Sequence, residues 1–300
     1  MPPTDSERIT IATSLVPGRR DRVQHTALTS WTAAGFYPIS VNVAEEIASL
    51  RTEFPTVAFV TASRSGRKIA GKPVPFITDL LKAADHRHDG PRLIGLFNAD
   101  IILRPGTRLA ETLTAEAGGT VVMVPRVDIP SLDAATSFPP TGNHAFSVGY
   151  DGAFLDTSFL AALPDNAFCL GMPFWDYWLP MMALLQDRPL KSIASAEALH
   201  VSHDTAWDQT IYFYFHALVS DLITECRRRG DAKSDPALAL LSDVMANIYT
   251  KIFDRGTGVP ATPAEGEARR AVLADAFDSV QEVVVQHIKR RAEPLLCPRP

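Results

Sequence analysis

The sequence has few cysteines, no long apolar run and no excess of positive charge. Its 300 residues include three cysteines (Cys169, Cys226 and Cys297), which are far apart and lack the spacing of a metal site. They exclude a disulfide framework and indicate reduced thiols in a reducing compartment. No apolar segment is long enough to span a bilayer, and the polar residues 1–7 lack the apolar core of a signal peptide. We therefore expect a cytoplasmic protein without a membrane span.

Charge and composition narrow the class of protein further. The formal net charge is -5, so bulk electrostatics give no indication of a nucleic-acid partner. Hydrophobic residues make up 46% of the chain and charged residues 21%, which is ordinary for a globular protein. A chain of this length forms one large domain or one domain with an appendage.

Alternating strand and helix patterns predict the fold. Short runs of apolar and β-branched residues predict strands at residues 9–15, 38–43 and 56–60, and the residues between them predict helices at 21–35 and 44–51. This alternation is typical of an α/β protein with a mostly parallel sheet that is flanked by helices.

The pattern changes near the C-terminus. Residues 207–229, 236–253 and 265–292 each carry the apolar repeat of a helix. We therefore predict an α/β domain at residues 8–207 and a C-terminal helical region at residues 208–300. The helices either complete a binding site or form a dimer interface, and the sequence leaves both roles open.

An apolar run at residues 93–102 is interrupted by Asn98-Ala99-Asp100. The run predicts a strand that is buried on both faces. A carboxylate at the end of such a strand is unfavourable unless water, a partner or a cation reaches it. Because the carboxyl ends of strands face the ligand in open α/β sheets, Asp100 is a candidate for holding a metal or a phosphate-bearing ligand. The alternative is an aspartate that caps the following turn.

Two later carboxylates are also candidates. Residues 126–143 predict a long irregular segment, and residues 145–154 predict a strand in which glycines flank Asp151 and mark a close approach of ligand or backbone. Residues 168–180 are rich in aromatics and place Asp176 in the first turn of a helix. Asp176 is thus a candidate general base at the floor of an aromatic-lined cleft, which suits sugar rings. The alternative is a capping aspartate among core aromatics.

Histidines and basic residues complete the set of candidates. His200 and His203 cannot both face one way in a regular strand, but in a loop one or both could reach a cation. Arg19 follows the first predicted strand, and Arg64 and Lys72 lie in the loop after the third. These cations form either a basic rim beside a bound phosphate or an ordinary solvated loop.

Residues 8–207 resemble the GT-A family of nucleotide-sugar-dependent glycosyltransferases, and family 2 among them. The resemblance rests on the order of five short motifs. They are the polar turn at residues 13–17, Asn98-Ala99-Asp100 in the place of an Asp-X-Asp metal motif, Gly149-Tyr150-Asp151-Gly152 in the place of an acceptor loop, Trp175-Asp176 in the place of the catalytic carboxylate, and a late histidine.

The resemblance implies an activity, a cofactor and roles for residues. A sugar would pass from a UDP- or GDP-sugar donor to a hydroxyl of a saccharide or another acceptor, with Mn²⁺ or Mg²⁺ at the diphosphate. The implied metal ligands are Asp100 with His200 or His203, and histidine favours Mn²⁺. The implied base is Asp176, or else Asp151. The implied donor contacts are Thr13, Ser14, Arg19, Arg64, Lys72, Asn98 and Asp100.

Two departures from the family pattern, Asn98 and the non-acidic Trp175 before Asp176, leave alternatives open. Position 98 is an asparagine, which can hydrogen-bond but carries no charge, and this favours a non-catalytic nucleotide- or sugar-binding protein of the same fold. A nucleotidyltransferase would share the sheet and the metal carboxylate, although residues 15–20 contain a single glycine where a phosphate-binding loop is expected. The donor, the acceptor, the stereochemical outcome and the oligomeric state stay open.

Overall fold

The computed structural model describes residues 8–18, 21–86, 93–139, 144–203, 210–229, 277–278 and 280–298. Within these ranges the strands are β1 (Thr10–Thr13), β2 (Tyr37–Asn42), β3 (Ala58–Thr61), β4 (Leu93–Phe97), β5 (Ile101–Leu103), β6 (Val121–Val124), β7 (Arg126–Ile129), β8 (Gly152–Asp156), β9 (Leu190–Ile193), β10 (Ala198–Val201) and β11 (Glu293–Leu295). The helices are α1 (Asp21–Ala33), α2 (Ala44–Glu53), α3 (Arg67–Ala70), α4 (Ile77–Asp85), α5 (Leu109–Glu116), α6 (Leu132–Thr136), α7 (Thr157–Leu160), α8 (Trp175–Leu185), α9 (Thr210–Arg229) and α10 (residues 280–291).

The main sheet contains eight strands in the order β11-β9-β6-β8-β4-β1-β2-β3. Neighbouring strands are parallel except where β8 pairs antiparallel with β4 and β6. Consecutive residues of a strand point to opposite faces, so Ile11 lies in one buried core and Ala12 in the other. The predicted α/β fold, with a mostly parallel sheet flanked by helices, is confirmed.

A second sheet of three strands has the order β5-β10-β7. Its central strand, β10, pairs antiparallel with β5 and parallel with β7. The indole Nε1 of Trp31 on α1 donates a hydrogen bond of 2.7 Å to the carbonyl oxygen of Ile101, which joins this sheet to the main body. Because β5 begins directly after Asp100, the small sheet starts where the main strand β4 ends.

Two local predictions were wrong. The segment predicted as irregular contains β7 and α6, because Val127 and Ile129 alternate with polar residues and bury one face of a strand. The strand predicted from residue 145 starts only at Gly152. Gly149 has a φ of 101°, a backbone conformation that interrupts a strand.

The C-terminal region is helical in part and returns to the main sheet. Helix α9 confirms the first predicted helix, α10 covers much of the third, and residues 236–253 lie outside the described residues. Apolar side chains of α9 and α10 share one core with α8, for example Leu222, Val284 and Leu179. Strand β11 then pairs with β9, a contact that no local pattern predicted. The boundary between two domains at residue 207 stays a prediction.

None of the helices that the structure describes combines the length and the apolar character that a membrane crossing requires.

We predict that Gly95→Ala destabilises the protein by about 1–3 kcal/mol, because core sites that are already filled tolerate added volume poorly. A Cβ atom at this buried position of β4 would lie 2.7 Å from Cε1 of Phe154 and 2.9 Å from Cγ1 of Ile11. Urea unfolding followed by circular dichroism measures the loss. Gly118→Ala is the matched control, since a Cβ there meets nothing within 4 Å. Equal stability of the two variants would contradict this packing.

Candidate metal and catalytic site

The small sheet brings three polar side chains close together. His200 on β10 lies opposite Ile101 on one side and opposite Asp128 of β7 on the other. Asp100 directly precedes Ile101, at the carboxyl end of the main strand β4. The residues 100, 200 and 128 therefore lie side by side at the junction of the two sheets.

Asp100, His200 and His203 form a cluster that could hold a metal ion. One ligand atom from each residue lies within 4.8 Å of the other two. Nε2 of His200 and Nε2 of His203 are each 3.7 Å from Oδ2 of Asp100. The sequence predicted that a regular strand could not turn both histidines the same way, and β10 indeed ends at Val201, which allows His203 to turn back.

The donor set and its accessibility fit a divalent cation. The His200 side chain is 8% exposed, whereas those of Asp100 and His203 are 24% and 30% exposed. His200 is thus buried, whereas solvent reaches Asp100 and His203. One carboxylate oxygen and two imidazole nitrogens suit cations of intermediate hardness, Mn²⁺ among them, and leave coordination positions for a ligand.

Asp128 contacts Nδ1 of His200, the ring nitrogen that faces away from Asp100. Its Oδ1 lies 2.8 Å from Nδ1 of His200 and accepts a hydrogen bond of 3.1 Å from Nε of Arg126. Its Oδ2 accepts a hydrogen bond from the hydroxyl of Ser147. Partial burial alone would raise the pKa of Asp128, but the hydrogen bonds and the Arg126 charge together lower it. The carboxylate is therefore ionised at neutral pH.

Asn98 and Asp151 are partners. The Asn98 amide Nδ2 donates a hydrogen bond of 2.5 Å to Oδ1 of Asp151, and the backbone N of Asn98 donates one of 3.0 Å to the Asp151 carbonyl oxygen. Oδ2 of Asp151 forms an ion pair with Arg126. The asparagine at position 98 is thus explained, because an aspartate there would face a second carboxylate.

Asp176 lies in the first turn of α8, as predicted. Its Oδ2 accepts a hydrogen bond of 3.0 Å from the backbone N of Tyr150. The loop can approach this closely because residue 149 is glycine, whose Cβ would lie 2.7 Å from the same oxygen. Burial raises the pKa of Asp176 to about 6, against the lowering effect of the backbone hydrogen bonds and of Arg126.

The prediction that the aromatic residues around Asp176 line an open cleft was wrong. Phe174, Trp175, Tyr177 and Trp178 are each at most 6% exposed and belong to a hydrophobic core. Helix α8 is buried on nearly all sides, because the main sheet covers one side and α9 and α10 cover another. Its aromatic residues therefore do not line an open surface.

Those predicted donor-side residues that the structure describes lie at or beyond the carboxyl ends of β1, β3 and β4. Thr13 is fully buried, and its hydroxyl donates a hydrogen bond of 2.8 Å to the Phe97 carbonyl oxygen. Ser14 follows it and is half-buried. Arg64 pairs with Asp79 and Asp165, so its charge is already compensated, whereas Lys72 is exposed. Arg19 lies outside the described residues. Their contacts with a donor stay predictions.

Three residues of the site were missed by sequence reasoning: Arg126, Asp128 and Ser147. The period-2 pattern Arg126-Val127-Asp128-Ile129 was the available signal for the first two, since it places both charged side chains on one face of a strand. Ser147 carries no comparable signal.

Comparisons with known proteins give distant likenesses only. No protein-family model and no curated protein sequence matches the chain. Among solved structures, it is similar to the mannosyltransferase PcManGT from Pyrobaculum calidifontis in complex with GDP-Man and Mn²⁺, with 13% identity, a TM-score of 0.43, and coverage of 94% of this chain and 87% of that chain.

Two further solved structures are similar to the chain. One is the 4-diphosphocytidyl-2C-methyl-D-erythritol synthase from Anaerococcus prevotii, with 15% identity, a TM-score of 0.35, and coverage of 71% of this chain and 97% of that chain. The other is the mannose-1-phosphate geranyltransferase from Thermus thermophilus, with 12% identity, a TM-score of 0.31, and coverage of 65% and 73%. At these TM-scores, the likenesses establish neither a family nor an activity.

We predict that Asn98→Asp lowers the free energy of unfolding by about 1–3 kcal/mol, because it replaces a hydrogen-bond donor to the buried Asp151 carboxylate by a like charge. The exchanged double variant Asn98→Asp/Asp151→Asn restores an amide facing a carboxylate. Its loss of stability is therefore expected to be smaller than the sum of the two single losses in a double-mutant cycle measured by urea unfolding. Additive losses would contradict the pairing.

Proposed function

We propose that this chain is a metal-assisted glycosyltransferase that uses a nucleotide-sugar donor. One observation carries the proposal: Asp100, His200 and His203 converge at the carboxyl end of a central strand in a mostly parallel sheet. In open α/β sheets this edge is where ligands bind. Two of the motifs that resemble GT-A glycosyltransferases, residues 13–17 and 98–100, end or follow the parallel strands β1 and β4 at this edge, which supports the proposal over a purely structural role.

The cluster suits a diphosphate ligand. Asp100, His200 and His203 would hold the cation, and Mn²⁺ fits the mixed oxygen and nitrogen ligands better than Mg²⁺ does. Charge that develops on the departing diphosphate would be neutralised by a cation bound there. The donor would lie along the carboxyl ends of β1 and β4, next to Ser14 and Asn98.

Asp176 is the base in this proposal. The acceptor oxygen attacks the anomeric carbon of the sugar, the bond from that carbon to the diphosphate oxygen breaks, and the hydroxyl proton passes to Asp176. A pKa of about 6 leaves this carboxylate ionised at neutral pH and well matched to accept a proton. Asp151 is the weaker candidate, because its carboxylate is already engaged by Arg126 and Asn98.

The adjacent residues Tyr150 and Asp151 link the base to the metal site. The backbone N of Tyr150 holds the Asp176 carboxylate, and the Asp151 side chain holds Asn98, two residues before Asp100. A short loop thereby fixes the base relative to the strand that ends at the metal ligand. Such fixed geometry is what a displacement reaction between two bound substrates requires.

We predict that Asp176→Asn lowers the rate of Mn²⁺-dependent sugar release from UDP-glucose or GDP-mannose by about 10²–10⁴-fold, because the base is lost. The rate is measured as the release of the nucleoside diphosphate, with water in the place of the acceptor. The asparagine retains an oxygen that can accept from Tyr150, so the fold is expected to persist. Asp133→Asn, in the first turn of α6, is the matched control and should keep the wild-type rate.

The pH dependence gives an independent check. A base must be deprotonated to act, so kcat/KM is expected to rise with pH through about 6 and to level off above it. In Asp176→Asn this rise should be absent. A wild-type protein that binds nucleotide and Mn²⁺ but releases no nucleoside diphosphate would instead be a non-catalytic binding protein of this fold.

A further inference from the structure

Asp128 lies on the far side of His200 from Asp100. Asp128 and His200 face each other across the parallel strands β7 and β10, where they are in direct register. Nδ1 of His200 is 2.8 Å from Oδ1 of Asp128, while its Nε2 is 3.7 Å from Oδ2 of Asp100. The two ring nitrogens thus contact two different carboxylates.

The hydrogen bonds around Asp128 determine which nitrogen of the neutral His200 ring carries the proton. The guanidinium of Arg126 can only donate, and the Ser147 hydroxyl donates to the other oxygen of the same carboxylate. Both oxygens of Asp128 already accept hydrogen bonds, so Asp128 acts as the acceptor in the 2.8 Å contact as well, and the proton shared with His200 lies on Nδ1. In the neutral ring, Nε2 then presents its lone pair toward Asp100.

Asp128 is itself held in place on several sides. Arg126 is on the same strand and also forms the ion pair with Asp151, which fixes the guanidinium. Ser147 is fixed by a hydrogen bond of 3.0 Å from its backbone N to the Arg126 carbonyl oxygen. A carboxylate anchored in this way can restrain both the orientation and the tautomer of an imidazole.

We propose that Asp128 is a positioning residue, which fixes His200 in the Nδ1-protonated tautomer so that Nε2 is free to bind a divalent cation. The inference rests on the proposed metal site and adds a residue to it. Metal-bound histidines commonly donate their second N–H to a carboxylate, and loss of such a partner lowers metal affinity by about 10–100-fold.

Titration calorimetry with Mn²⁺ alone tests the effect on affinity. Asp128→Ala is expected to weaken Mn²⁺ binding by about 10–100-fold relative to the wild type. Asp156→Ala is the matched control, because Asp156 is also a partly buried carboxylate that accepts hydrogen bonds, here from the backbone N of Ser158 and Gly119. It should bind Mn²⁺ as the wild type does. Wild-type affinity in Asp128→Ala would overturn the proposal.

A second measurement needs no variant and no metal. ¹⁵N NMR of the histidine side chains in the metal-free protein, at a pH where the rings are neutral, is expected to show the Nδ1–H form of His200, assigned by its loss in His200→Gln. An Nε2–H form would overturn the proposal. This result is independent of the proposed function: a wild type that fails to bind Mn²⁺ refutes the metal site, whereas the NMR spectrum still decides what Asp128 does to His200.

Discussion

The carboxylate of Asp151 is the interaction on which the candidate site depends. It is almost fully buried, and its charge is compensated by an amide from the edge of the main sheet, Asn98, and by a guanidinium from the small sheet, Arg126. Removing Arg126 would leave this carboxylate without an opposite charge, which is unfavourable by several kcal/mol in protein interiors. The same contacts hold the end of β4 next to β7, and they thereby place the candidate metal ligand Asp100 near His200 and Asp128.

Asp176 shows how opposing physical effects set a chemical property. Packing of α8 between the sheet and the C-terminal helices buries the carboxylate and raises its pKa to about 6. The Tyr150 amide and the helix N-terminus favour the charged form and limit that rise. The result is a carboxylate that is ionised at neutral pH yet basic enough to accept a proton, whereas the Asp151 carboxylate is already engaged by Arg126 and Asn98.

The sequence predicted the features that depend on local pattern. Alternating strands and helices predicted the sheet, and the position of Asp100 after a buried strand, together with two late histidines, predicted the cluster that the structure forms. Features that depend on distant partners were not predictable. Asn98 meets Asp151 over 53 positions of sequence, the aromatic residues of α8 are buried by helices that lie far along the chain, and β7 is too short to stand out beside Pro130.

The most direct test of the central claim is the thermal stability of the protein with Mn²⁺, UDP and GDP, separately and together, in the wild type and in Asp100→Ala. A ligand at about a hundred times its dissociation constant adds roughly 2.7 kcal/mol to the stability of the folded state. We expect one nucleotide to stabilise the wild type in a manner that requires Mn²⁺, and we expect this stabilisation to be lost in Asp100→Ala. Stabilisation by neither nucleotide, or an equal effect in Asp100→Ala, would contradict the assignment of this cluster to a metal-bound nucleotide-sugar.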